Sequence, residues 1–135
     1  MAVLVILDAN VLMLTRRLNL DVFLEIEELV KTKVDFATTS TVIDELLGLS
    51  RRPGDIGRDA DFALTRSKKC RIIRASVGDR GSVDDTVVKT AKQNNAVVAT
   101  ADTKLRRKLR NAKIPVIFLR EKSKLMIEGL EAAYY

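Results

Sequence analysis

Val3-Leu4-Val5-Ile6-Leu7-Asp8-Ala9-Asn10 is the stretch on which the reading of this sequence turns. Five consecutive apolar residues, rich in β-branched side chains, are the pattern of a strand buried on both faces, as in the interior of a parallel sheet. The run stops at a carboxylate. An acid placed directly after such a strand lies at its carboxyl end, the edge where open α/β sheets bind their ligands.

Working outward, Leu20 to Thr32 sets Val22, Phe23, Ile26, Leu29 and Val30 on one helical face. A strand is expected over Val34 to Thr39, then Ser40 as the N-cap of a helix carrying Val42, Ile43, Leu46 and Leu47. Arg51 to Gly57, with Pro53, Gly54 and Gly57, reads as a loop, Arg58 to Lys69 as a short helix and Arg71 to Ser76 as a strand. Val77 to Ser82 holds two glycines and ends on a serine that caps a helix from Val83 to Asn94. Ala96 to Thr100 is another buried strand, Thr103 to Asn111 a helix with Leu105 and Leu109 inward, and Val116 to Leu119 a last core strand. Arg120 to Tyr135 carries no readable pattern. This alternation predicts an α/β fold: a three-layer α/β/α sandwich around a mainly parallel central sheet, with residues 1–135 forming one domain.

Composition narrows the chemistry. The chain has 135 residues, of which 47% are hydrophobic, enough for a sizeable core. Its longest apolar runs are far too short to cross a bilayer, and no positive start precedes the first of them, so a soluble cytoplasmic protein without a membrane partner is expected. A single cysteine, Cys70, can close no intrachain disulfide, and zero histidines exclude a Cys/His zinc site. The same absence removes Ser-His-Asp and Cys-His catalysis. Carboxylates remain, and with them a hard cation such as Mg2+ or Mn2+. The net charge of +6 suits a polyanionic partner such as nucleic acid.

Right-handed crossovers bring every strand end that leads into a helix to one sheet edge. Asp8, Glu45, Asp84 and Asp102 all map there. Any one of them could simply complement a helix dipole, worth about 0.3 to 1 kcal/mol. Together they repel, by roughly 4 kcal/mol per pair at about 4 Å and an effective dielectric of about 20, unless a cation or proton intervenes. Asp84 shares a helical face with Val87, Val88 and Ala91 and points inward. Asp85 sits about 100° round the helix, where it can return a capping bond to Ser82 or serve as an accessory metal ligand. Asn10 either caps the following helix or holds Asp8 or a bound water, and Thr100 either orients Asp102 or ends its strand.

Lys104, Arg106, Arg107, Lys108 and Arg110 crowd the helix that follows Asp102. They form either a solvated face or a surface that tracks phosphates beside the acids, extended by Arg51, Arg52, Arg66, Lys68 and Lys69. Aromatic residues are 4% of the chain and tryptophan is absent, so recognition by shape and charge is expected over base stacking.

Ile6-Leu7-Asp8-Ala9-Asn10, Ser40 to Glu45 before Leu46, Val83-Asp84-Asp85 followed by Val87 and Ala91, and Val98-Ala99-Thr100-Ala101-Asp102 together resemble a PIN-domain nuclease. The resemblance implies helices on both sides of the sheet, a magnesium or manganese site built from the four acids, and hydrolysis of RNA to a 5′-phosphate and a 3′-hydroxyl. Val98 to Arg110 and Ile114-Pro115-Val116 are similar to the archaeal and eukaryotic branch that processes small-subunit ribosomal RNA. The VapC-like toxin branch shares the same four acids, and a catalytically silent PIN-fold module for RNA binding or assembly is the third reading. The partners implied are RNA with ribosome-assembly factors or an antitoxin, and a homodimer is one option for the assembly. A mechanism through an aspartyl phosphate would want a second acid where Asn10 stands.

Overall fold

The computed structural model describes residues 2–74, 82–121 and 124–129. In it Val3–Leu7 is β1 and lies inside the sheet. The other strands are Val34–Thr39 (β2), Arg71–Ile73 (β3), Val97–Thr100 (β4), Val116–Arg120 (β5) and Lys124–Glu128 (β6). They run in the order β3-β2-β1-β4-β5-β6, parallel throughout except for β6, which pairs antiparallel with β5. The continuous apolar pattern of β1 has a direct cause. Val5 and Leu7 face one layer of helices and Ile6 faces the other, and all three are fully buried.

Four helices, Ala9–Arg17 (α1), Val22–Val30 (α2), Ser40–Ser50 (α3) and Asp55–Arg66 (α4), cover the Val5 and Leu7 side. Val83–Gln93 (α5) and Thr103–Asn111 (α6) cover the Ile6 side with Val87, Ala91, Leu105 and Leu109. Burying each of those leucines stabilises the fold by about 1.5 to 3 kcal/mol. The expected three-layer α/β sandwich with a mainly parallel sheet is therefore the architecture found. Among the described residues no helix is long and apolar enough to cross a membrane.

Several local expectations need correction. Thr39, not Ser40, caps α3: its backbone is extended (φ −106°, ψ 158°) and its Oγ1 accepts from the Val42 N–H at 3.2 Å, whereas Ser40 is already helical. Helix α4 starts at Asp55 rather than Arg58 and includes Gly57, and residues Ser67–Lys69 tighten into a separate 3-10 turn. A Cβ on Gly57 would collide with the Arg52 carbonyl, so the glycine permits a close backbone approach and does not mark a loop. Gly57→Ala is expected to lower stability by ~1–3 kcal/mol, the usual range for overpacking, read as a lower urea midpoint. Strand β3 ends at Ile73. Residues 75–81, including most of the loop expected from Val77 to Ser82, lie outside the described residues.

Two segments in which the sequence offers no functional motif, α4 and the described part of the tail, acquire roles. Asp59 on α4 is buried and accepts from Arg16 Nη1 at 2.8 Å and from Arg17 Nη2 at 3.1 Å, bracing α4 against α1. Strand β6 buries Leu125 against the β1 side of the core, and charged Lys124 and Glu128 bound it on the sheet's edge.

Candidate active site

The strand order reverses between β1 and β4, and the carboxyl ends of these two neighbours open a crevice. Asp8 follows β1 directly and caps α1, its Oδ1 accepting from the Ala9 N–H at 2.9 Å. Its own N–H donates to the Ala99 carbonyl of β4 at 2.9 Å, so the residue is fixed to both strands. Only 7% of Asp8 is exposed. Desolvation raises its pKa from 3.8 to about 6, against the lowering effect of the Ala9 and Thr100 hydrogen bonds, and the charges of Glu45 and Asp84 push the same way as burial.

A web of short bonds joins Asp8 to the turn after β4. Thr100 Oγ1 donates to Asp8 Oδ2 at 3.0 Å and accepts from the Asp102 N–H at 3.1 Å. Asn10 does not cap α1; Asp8 does. The Asn10 Oδ1 instead accepts from the Ala101 N–H at 2.9 Å, tying the first turn of α1 to the residue before Asp102. Asp102 caps α6 with Oδ1, which accepts from the Lys104 and Leu105 N–H groups at 2.9 and 3.4 Å.

Glu45 projects from α3 and is exposed at the rim, yet its pKa is raised, first by partial desolvation and then by the charge of Asp84. Asp84 stands in the first turn of α5. Asp8, Glu45, Asp84 and Asp102 line one cavity of about 220 Å³, with Asn10 beside them. Asp85 is not among the residues lining it. It joins the cap formed by Ser82, whose Oγ accepts from the Asp85 N–H at 3.1 Å, and its carboxylate pairs with Lys108 at 3.3 Å. The Ser82 and Lys108 contacts hold the Asp85 carboxyl below its usual pKa.

Sequence reading missed the apolar wall: Met13, Leu49, Ile56 and Val83 complete the lining. Two were accessible from helical spacing, since Met13 follows Asn10 by three residues and Leu49 follows Glu45 by four. Ile56 gave no signal because its segment reads as loop.

None of the described lining residues is basic, so four acids face one another without a cationic side chain among them. The positive ends of α1, α5 and α6 offset part of that repulsion. The donor set is all oxygen, which fits a hard divalent cation. Among the described residues no three acids converge closely enough to chelate an ion unaided.

On α6 the basic residues divide. Arg106 is held by Glu128, with Nε and Nη2 bonds of 2.8 and 3.3 Å, and lies 3.5 Å over the Phe118 ring. Lys108 is held by Asp85, and Arg110 donates to the Ile114 carbonyl at 3.3 Å. Among the described residues Lys104 and Arg107 have no acidic partner. Arg66 and Lys69 sit over Phe23, which belongs to the helical layer across the sheet from α6, and so do not extend this surface.

A family model described as a PIN-like domain matches residues 5–122. Ribonuclease VapC4 of Methanocaldococcus jannaschii is 28% identical over 127 residues, covering 91% of this chain and 95% of its own. Among solved structures, the chain is similar to the PIN domain endonuclease Utp24, with a TM-score of 0.75 and 23% identity over 93% of this chain and 91% of that one. It is also similar to VapBC2 from Rickettsia felis bound to a DNA fragment from their promoter, with a TM-score of 0.63 and 18% identity over 87% of this chain and 99% of that one. At these identities the two structural likenesses speak to the fold.

Proposed function

The chain belongs to the PIN-like domain family, and from that premise we propose that it is a divalent-metal-dependent ribonuclease, an endonuclease that hydrolyses phosphodiester bonds in structured RNA. The observation that carries this reading is the four-acid cavity at the strand switch, with Asp8 buried at its base and pushed to a pKa of about 6. Such an arrangement disfavours the ionised apo form, and a cation relieves it. The reading includes one domain over residues 1–135 working in the cytoplasm.

Asp8, Glu45, Asp84 and Asp102 would hold Mg2+ or Mn2+, with Asp85 as the accessory acid of an alternative arrangement. When bound, such a cation supplies Lewis acidity toward the phosphoryl group and water activated at neutral pH, which is why no histidine base is needed. Thr100 keeps one Asp8 oxygen oriented, and Asn10 fixes the turn that presents Asp102. Met13, Leu49, Ile56 and Val83 thin the water around the carboxylates and so strengthen their attraction for a cation. Lys104, Arg106, Arg107, Lys108 and Arg110 are the candidates for holding the RNA backbone.

Processing of ribosomal RNA, with ribosome-assembly partners, is the cellular role we favour. Likeness to ribonuclease VapC4 supports a second reading, a toxin restrained by an antitoxin. Expression without any partner separates them, because the toxin reading expects arrested growth that Asp8→Asn abolishes. The enzymatic proposal is tested by incubating a labelled structured RNA with the protein in manganese, in magnesium and in a chelator. Cleavage with either cation, giving 5′-phosphate ends and stopping in chelator, is the expected outcome. RNA binding with no cleavage under any condition would transfer the assignment to a silent binding module.

A further inference from the structure

Outside the acid cavity, α6 borders a groove of about 470 Å³ lined by Thr103, Arg106, Arg107, Arg110, Asn111 and Glu128. The five α6 residues recur at the spacing of one helical face, and their ridge is about 12 Å long at 1.5 Å per residue. It begins next to Asp102 of the acid cavity. Three arginines and two neutral polar residues line it, and one residue in it has the opposite sign.

That residue is Glu128 at the end of β6. Its carboxylate takes the Arg106 fork through two bonds, at 2.8 and 3.3 Å, in the planar bidentate geometry that arginine offers equally to carboxylate and phosphate. The next residue, Gly129, has φ +79°, and a Cβ there would strike the Arg110 guanidinium. The end of β6 therefore shapes the surroundings of two of the three arginines.

We propose that this groove seats phosphates of the RNA strand beyond the acid cavity and that Glu128 is a built-in competitor, occupying Arg106 until phosphate displaces it. The RNA partner rests on the ribonuclease reading above; the anion seat and its internal occupant rest on the groove itself. Competition sets the affinity of the free protein below what three unencumbered arginines would give, and lets the strand leave after cleavage as Glu128 returns.

Binding of a labelled single-stranded RNA in chelator, across a salt series, tests this without requiring cleavage. Glu128→Gln keeps the side-chain size and removes the competing charge. It is expected to tighten binding roughly three- to tenfold at low salt, a gain that shrinks as salt screens the Arg106–Glu128 pair. Arg107→Ala is expected to weaken binding and to shallow the salt slope by about 0.7, the value of one phosphate contact on a single strand. The control is Asp35→Asn, which makes the same charge change and frees Arg71 from a 2.9 Å ion pair near the opposite edge of the sheet; binding should stay within twofold of the parent. The inference is overturned if Glu128→Gln binds no tighter than the parent, if Asp35→Asn tightens binding as much, or if Arg107→Ala binds as well as the parent. Because this assay contains no metal, a protein that shows the groove pattern yet never cuts RNA in manganese would remove the ribonuclease reading and leave the groove standing.

Discussion

Asp8→Asn protein, measured at pH 7 without metal, is expected to unfold at a temperature several degrees above wild type while cutting RNA at least ~100-fold more slowly in manganese. The two effects share one cause. A carboxyl whose pKa is about 6 in the fold and 3.8 outside it is ionised at neutral pH at the folded state's expense. At 1.36 kcal/mol per pK unit this costs up to ~3 kcal/mol, of which the weaker bond from Thr100 to an amide takes back about 1 kcal/mol. Asparagine retains an acceptor for the Ala9 N–H, so the α1 cap survives. A melting temperature below wild type would mean that the Asp8 charge stabilises the fold and is not a strained group.

The second large effect concerns pH and metal together. Because the folded-state pKa of Asp8 is raised, its favourable contribution is full below about pH 3.8 and lost as the pH climbs through about 6. Metal-free protein is therefore expected to gain stability on acidification from about pH 7 to about 5, with Glu45, also raised, adding in the same sense. The carboxyls of Asp85 and Glu128 are lowered, so their contribution is present above the ordinary carboxylate range and is lost only in stronger acid. A divalent cation should replace the proton in this role. Manganese at about 100 times its dissociation constant adds ~2.7 kcal/mol by linkage, raising the neutral-pH melting temperature of wild type and flattening its dependence on pH. Asp8→Asn should lose most of that gain. Thermal melts over a pH series with and without manganese read all of this, and a wild type indifferent to the cation at every pH would contradict the metal assignment.

The sheet and the positions of the acids were legible because each rests on a strong local signal. Val3 to Leu7 and Val97 to Thr100 are apolar on both faces, which only a doubly covered strand satisfies, and the chain's alternation then fixes the edge where Asp8 and Asp102 emerge. Ser82 caps α5 as expected because its Oγ and the Asp85 N–H come together three residues apart at a helix start. Other parts depended on tertiary neighbours. Thr39 and Ser40 are equally good caps in sequence, and only the extended backbone at Thr39 selects between them. Gly57 punctuates the sequence like a loop residue, yet its reason is the Arg52 carbonyl beside it in space. The Asp59 brace needs Arg16 and Arg17, more than forty residues away. Glu128 looked idle because β6 is a short apolar triplet between charges, and its partner Arg106 lies 22 residues upstream on another element.

Initial cleavage rates of a single labelled RNA report whether the four acids on one cavity make this protein a metal-dependent ribonuclease. The series comprises wild type, Asp8→Asn, Glu45→Gln, Asp84→Asn and Asp102→Asn, each first shown to be folded by its melting transition, with Asp85→Asn as the neighbour whose carboxylate pairs with Lys108 outside the cavity. In manganese, cleavage is expected from wild type and Asp85→Asn, with a loss of roughly 100-fold or more in the Asp8, Asp84 and Asp102 variants and a clear loss in Glu45→Gln, and in chelator no protein should cut. Cleavage that persists in chelator, or an Asp8→Asn protein that cuts at the wild-type rate, would contradict that assignment.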